Sequence, residues 1–249
     1  MCAPTGLRPN FQPVRARAHL PTPHSYLLTK TKGGVYLYQP ILTLSSGTEL
    51  KGGSPGSAMK SLTLHTAVNA GQEFTIGSAF SDYIEAEIWA DPGGSLQITA
   101  GDALTYYRQD DAGNRTKVGV FYAEKPTRTK RNSYKVTAYD TMSKLDADFS
   151  GWLHANQAQF PKTIWQLVQL ACQRAGVTLA SSSLPINGSY SVQAFYADDL
   201  TCRQIISWAA EAAGCYAHMN ADGKLQFLTY TDKRSTAKIT PDGASNSTA

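Results

Sequence analysis

Ile164-Trp165-Gln166-Leu167-Val168-Gln169-Leu170-Ala171-Cys172-Gln173-Arg174-Ala175-Gly176 is the stretch from which the rest of the chain can be read. Its apolar residues at 164, 167, 168, 171, 172 and 175 share one face of a 3.6-residue helix. Gly176 supplies the left-handed position that ends a helix without a Cβ clash. After a polar loop, Thr201 and Gln204 fit a capping box, in which side chain and backbone satisfy two orphan amides reciprocally. Ile205, Ile206, Ala209 and Ala213 then form a second stripe, closed by Gly214 in the same way. Cys215 to Met219 and Lys224 to Leu228, joined by Asn220-Ala221-Asp222-Gly223, read as a hairpin. From Ile164 to Phe227 the chain is therefore a compact packing unit, and nothing in it has to react.

Upstream, Asp140 is an N-cap for a helical turn starting at Thr141, with Met142, Leu145 and Phe149 as its apolar stripe. Pro161 suits the first turn of the helix that follows. Before Tyr139 the period is two. Tyr83-Ile84-Glu85-Ala86-Glu87-Ile88-Trp89 alternates acidic and apolar faces, as does Ser61 to Thr66. Leu96 to Thr99, Ala103 to Arg108, Val118 to Glu124 and Tyr134 to Ala138 continue the strand series, with a hairpin signal at Asp110-Asp111-Ala112-Gly113-Asn114. Val35 to Leu44 is a further β-like run, and the Gly/Ser-rich Ser45 to Ser57 reads as a loop.

The fold class expected is α+β: an antiparallel β-barrel or sandwich domain joined to a smaller α+β domain with two amphipathic helices and a β-hairpin. Residues 35–138 form the first and 139–230 the second. Residues 1–34, with Pro4, Pro9, Pro13, Pro21 and Pro23, are expected to be a flexible arm, and 231–249 a flexible tail.

At 249 residues the chain can bury two modest cores, and 42% hydrophobic with 17% charged residues is ordinary for a globular protein. A net charge of +4 is too small to imply nucleic acid by itself. No apolar run approaches the ~20 residues of a membrane span, so no membrane insertion is expected. Cysteines at 2, 172, 202 and 215 have no zinc-ligand spacing, and buried free thiols are favoured over disulfides. The five histidines are scattered, so no metal and no cofactor is expected.

No dinucleotide or Walker-type loop occurs, and the Gly/Ser stretch around Ser54 lacks the flanking strand and helix of a nucleophile elbow. Asp140, Asp146 and Asp148 do not share one helical face; helix capping and solvation account for them better than an acidic site. Asp198-Asp199 suits a helix N-terminus. No catalytic residue is assigned. The basic run Lys125, Arg128, Lys130, Arg131 and Lys135 is the main charge feature; without interleaved aromatics it reads as a solvated hairpin loop able to meet an acidic partner rather than nucleic acid. Trp165 and Trp208, one on each helix, are core or interface anchors. The candidate partner contacts are thus Lys125, Arg128, Lys130, Arg131, Trp165 and Trp208.

The order Ile76-Gly77-Ser78-Ala79, Ile98-Thr99-Ala100-Gly101-Asp102, Val118-Gly119-Val120-Phe121-Tyr122 and Ala138-Tyr139-Asp140-Thr141-Met142-Ser143-Lys144-Leu145-Asp146 resembles the N-terminal region of tail proteins from siphophages and prophages of Gram-positive bacteria. This is the baseplate hub or tail-associated lysin group, related to the hub of contractile-phage baseplates. Phe160-Pro161-Lys162-Thr163, Thr201 to Ile206 and Asp222 to Phe227 extend the likeness, which covers about Ser61 to Tyr230. The resemblance implies a tail-tube-like β-domain and a homotrimeric ring at the virion tail tip, assembled from protein made in the host bacterial cytoplasm. It also implies contacts with the distal tail protein, the tape-measure protein and other baseplate proteins, with DNA passing through the ring. It implies, as the other reading, a positioning module for a cell-wall hydrolase whose catalytic domain is not in this chain; no lytic activity carries over.

Overall fold

A computed structural model describes residues 38–53, 57–67, 75–90 and 98–230. The expected N-terminal arm and C-terminal tail lie outside these residues.

Eight strands form one antiparallel sheet: β1 (Gln39–Leu44), β2 (Glu49–Lys51), β3 (Met59–His65), β4 (Tyr83–Trp89), β5 (Ala103–Gln109), β6 (Arg115–Ala123), β7 (Thr127–Lys130) and β8 (Ser133–Asp140). The spatial order is β2-β1-β5-β6-β8-β4-β3, and β7 also pairs with β8. β4 occupies one flank of β8, while β6 and β7 share the other, β6 opposite Ala138–Asp140 and β7 opposite Ser133–Lys135. The alternation read in β4 holds residue by residue: Ile84, Ala86 and Ile88 are buried and Glu85 and Glu87 face out. Leu42 and Leu44 of β1 join the same buried cluster as Leu62 and Leu64 of β3, although these strands lie near opposite ends of the sheet. The sheet therefore curls around one core, as a barrel-like layer does.

Three expectations in this half are corrected. Glu49–Lys51, read as loop, pairs with β1 because Gly47, at φ +85, permits a tight turn after Leu44. The middle of the basic run is a strand and not a loop: Thr127 to Lys130 forms β7 and pairs with β8 across a turn at Arg131-Asn132, with Lys125 ahead of it and Lys135 in β8. Ile98 and Thr99 are not in a strand; Ile98 is buried, and the Thr99 amide donates to the Asp102 carboxylate at 2.7 Å ahead of the Gly101 turn. Leu96 and Gln97 lie outside the described residues.

The change of period falls at Asp140, the last residue of β8. Its carboxylate accepts from the Met142 amide at 3.0 Å and caps a 3-10 helix (Thr141–Asp146) that buries Met142 and Leu145. A short α1 (Ser150–Ala155) follows, opened by Asp148, whose oxygens accept from the Ser150 and Gly151 amides. Pro161 stands before the next helix and not in its first turn, after a cis Phe160–Pro161 bond. β9 (Lys162–Thr163) leads into α2 (Ile164–Ala175), which starts on a Thr163–Gln166 capping box and ends on Gly176 at φ +65. β10 (Ser191–Val192) pairs with β9. α3 (Cys202–Ala212) opens on the expected Thr201–Gln204 box, and Gly214 follows at φ +62. β11 (Cys215–Met219) and β12 (Leu225–Thr229) make the hairpin.

α2 and α3 bury Leu167, Val168, Ala171, Ile205, Ile206 and Ala209 in a second cluster with Met142, Leu145 and Phe149. The large aliphatic members each contribute about 1.5–3 kcal/mol by leaving water, and each capping box roughly 1 kcal/mol. Val177-Thr178-Leu179 lies alongside β12: the Leu225 amide donates to Thr178 O at 2.8 Å and Ala180 N–H to Leu225 O at 2.7 Å.

Candidate functional site

The sheet and the helical unit meet along Gly77-Ser78-Ala79-Phe80-Ser81-Asp82, the run that leads into β4. Its first half pairs with β11 in parallel: Gly77 N–H donates to Cys215 O at 3.0 Å and Ala217 N–H to Ser78 O at 2.9 Å. From α3, Ser207 Oγ donates to Gly77 O at 2.6 Å, and Arg203 reaches Ala79 O and Met142 O while forking onto Asp146 at 2.6 and 2.9 Å. Gly77 has φ +84, and a Cβ there would lie 2.5 Å from Glu211 Cβ, so both conformation and space require glycine. At the hairpin tip, a Cβ on Gly223 would lie 2.7 Å from Thr141 Oγ1, and Asp222 accepts from Lys117 Nζ at 2.8 Å.

Beneath this seam lies a polar cluster. Asp140 Oδ1 accepts from Ser81 Oγ at 2.6 Å, Asp140 Oδ2 accepts from the Asp82 amide at 3.1 Å, and Asp82 Oδ2 faces His218 Nε2 of β11 at 3.2 Å. Burial pushes the Asp140 carboxyl up to about 6; the Ser81 hydrogen bond opposes the rise and the Asp82 charge adds to it. His218 is raised by its hydrogen bond to Asp82, against the opposing pull of burial. A Ser, a His and two Asp thus converge, but they are not connected as a nucleophilic relay. The Ser81 hydroxyl donates to a carboxylate, and the imidazole faces the other carboxylate.

The cysteines carry no reactive signal. Cys172, Cys202 and Cys215 are buried and free, and burial raises all three, Cys172 to about 12 and Cys215 to about 11, so they stay thiols. Cys2 lies outside the described residues. Gly52-Gly53-Ser54-Pro55-Gly56 does carry the letters of a nucleophile elbow, yet it lies between β2 and β3, so a strand and not a helix follows it. Among the described residues no group of three or more His, Cys, Asp or Glu is placed to hold a metal ion.

The sequence-derived contact residues fall on two separate faces. Lys125, Arg128, Lys130 and Arg131 are exposed along β7 and its approach. Arg128 folds back onto Lys130 O and Arg131 O. Lys130 borders an open groove of about 380 Å³ with Ser61, Thr63, Glu85, Glu87 and Lys135, where Lys135 pairs with Glu85 at 2.7 Å and Ser133 donates to Glu87 at 2.6 Å. The two tryptophans part company. Trp165 is half-buried, its ring edge-on to Phe227. Trp208 is 48% exposed beside Phe195, over a cleft of about 180 Å³ lined by Ile164, Leu167, Val192 and Ile205. Ile186, Tyr190 and Tyr196, in the segment that supplies Val192 and Phe195, are also exposed. Sequence reasoning missed that segment, which has no period, and it missed the Asp82–His218 pairing, whose members stand 136 residues apart.

No family model matches the chain, and no curated protein sequence does. Among solved structures it is similar to the 43 kDa tail protein of prophage MuSo2 from Shewanella oneidensis, with a TM-score of 0.51 and 14% identity over 76% of this chain and 54% of that one. A tail protein from Neisseria meningitidis MC58 gives a TM-score of 0.47 and 13% identity over 77% of this chain and 50% of that one. The chain therefore spans about half the length of these structures, and at 14% identity the likeness to the first is one of fold.

Proposed function

We propose that this chain is a structural subunit of a phage or prophage tail tip, a baseplate hub component that works by self-assembly and by contact with other tail proteins, without catalysis of its own. The observation that carries this reading is the fold shared over 76% of the chain with the MuSo2 prophage tail protein. It agrees with the order of motifs in the sequence that resembles tail-hub proteins. Two features are consistent with it. The convergent polar groups at the seam are committed to one another rather than to an open site. Trp208, beside its apolar cleft, and the exposed Tyr190, Tyr196 and Ile186 are large apolar side chains of the kind that partner subunits cover.

In this reading the subunit is a homotrimer, and the β7 hairpin and the Trp208 cleft are partner contacts. Mass photometry and negative-stain electron microscopy of the purified protein test it. The expected particle has the mass of three 26.9 kDa chains and a central hole. A strict monomer at high concentration, absent from purified tails, removes the hub assignment. Clearing of a peptidoglycan zymogram by this chain alone overturns the non-enzymatic part.

A further inference from the structure

We propose that Asp82, Asp140 and His218 form a proton-operated clamp between the sheet and the C-terminal hairpin, holding β11 against the Gly77–Asp82 run in mild acid and loosening it in mild alkali. The inference rests on where the cluster lies and does not depend on the tail-tip reading.

The three groups come from three elements that this seam brings together: Asp82 from the run into β4, Asp140 from the end of β8, and His218 from β11. Asp140 and Asp82 are only 4% and 8% exposed, so their charges cannot be left to water. Asp82 Oδ1 and His218 Nδ1 are also buried without a hydrogen-bond partner among the described residues, so at the Asp82–His218 pair the contact between the two side chains carries most of the charge compensation. The cations on the surrounding elements are engaged elsewhere. Arg203 of α3 forks onto Asp146, Lys117 of β6 holds Asp222 at the hairpin tip, and Lys144 of the 3-10 helix lies 3.7 Å over the Tyr122 ring. His218 is then the counter-charge on which two carboxylates depend.

The charge of the cluster follows the proton count. With Asp140 protonated and His218 charged, Asp82 and His218 form a neutral pair. Loss of the Asp140 proton leaves one excess negative charge, and loss of the His218 proton leaves two buried carboxylates without a counter-charge in the cluster. Both groups hold their protons more tightly in the seated structure than free in water. A group of raised pKa stabilises the state that raises it below its ordinary range, and that contribution is lost as pH climbs through the raised value. For Asp140 the loss runs from the ordinary carboxylate range up through about 6; for His218 it begins above the ordinary imidazole range. Both therefore weaken the seam as pH rises.

Native-state hydrogen exchange tests the clamp, with protection factors corrected for the intrinsic pH dependence of exchange. The reporters are the amides of Gly77 and Ala217, which bridge the run and β11. Between pH 4.5 and 8.5 their protection is expected to fall by about tenfold or more, since the contribution of a carboxyl raised to about 6 is lost within that range at a factor of ten per pKa unit. The amides that pair β4 with β8 should hold their protection. Asp140→Asn and His218→Gln should each flatten the slope. In the unaltered protein, the ring protons of His218 should titrate above the ordinary imidazole range, a readout that needs no variant to fold. Constant protection at Gly77 and Ala217 over this range, or a His218 titration at or below the ordinary range, overturns the clamp.

Discussion

On the outer face of β4, Glu85 is met by Lys135 at 2.7 Å and Glu87 by Lys60 at 3.6 Å, and the Lys60 ammonium lies 4.5 Å over the Trp89 ring. On the outer face of α3, Trp208 stands 48% exposed beside an apolar cleft, with Tyr190 and Tyr196 near 70% exposed in the segment opposite. The two surfaces belong to the same chain and are finished in opposite ways. Neighbouring strands put opposite charges across from one another, so the face of the sheet is locally neutralised and suited to water. The helical unit turns the apolar sides of its 3-10 helix, α2 and α3 inward and still has aromatic rings left over. The difference teaches that the most exposed apolar side chains gather on the helical side, while the exposed charge gathers on the sheet.

The comparison breaks if the two halves share one core. Ile84→Ala and Ile206→Ala each remove a fully buried side chain, the first from the sheet cluster and the second from the helical cluster. Each is expected to cost about 2–5 kcal/mol in urea unfolding. Hydrogen exchange should locate the loss in the sheet for the first and around α2 and α3 for the second. Equal loss everywhere in both variants means one cooperative unit, and the division at Asp140 then has no energetic meaning. Gly77→Ala sharpens the comparison at the seam. A positive φ and a Cβ 2.5 Å from Glu211 together predict a loss of about 2–4 kcal/mol, with the Ala217 amide exposed first. The smallest effect concerns the caps, a device the sheet does not use. Thr163→Ala and Thr201→Ala should each lower stability by about 1 kcal/mol in the same unfolding experiment, with β4 exchange unchanged.

How much of this was legible depended on how local the signal is. β4 could be read to the residue because its alternation is uninterrupted. The start of α3 could be read because Thr201 and Gln204 are the right types three apart. The same Thr163–Gln166 pattern opens α2, but Pro161, three positions ahead of its first residue, points to an earlier start. β2 and β7 were lost because their evidence is a partner strand: a Glu-Leu-Lys in a Gly/Ser-rich stretch and a run of Thr, Arg and Lys have no period of their own, and the pairing with β1 and β8 decides them. The basic residues were recognised as exposed, but not that Arg128 would fold back on its own hairpin. The Asp140 cap was local and visible; its second role, facing Asp82 and through it His218, is tertiary and was not.

The Gly77–Asp82 run also fixes an order of events. Every strand of the large sheet lies between Gln39 and Asp140, so that sheet has all its pairing partners once Asp140 has been made. The run itself waits for Ser207, 130 residues after Gly77, and for His218, 136 residues after Asp82. At a synthesis rate of roughly 5–20 residues per second, the interval is on the order of ten seconds. Through that time Asp82 has no imidazole to face and the Ser78 carbonyl has no strand to accept from. Contacts across so long a loop also close slowly in a free chain. Docking of β11 thus follows formation of the large sheet, and protection of the Ala217 amide marks a molecule in which the sheet and the hairpin have come together.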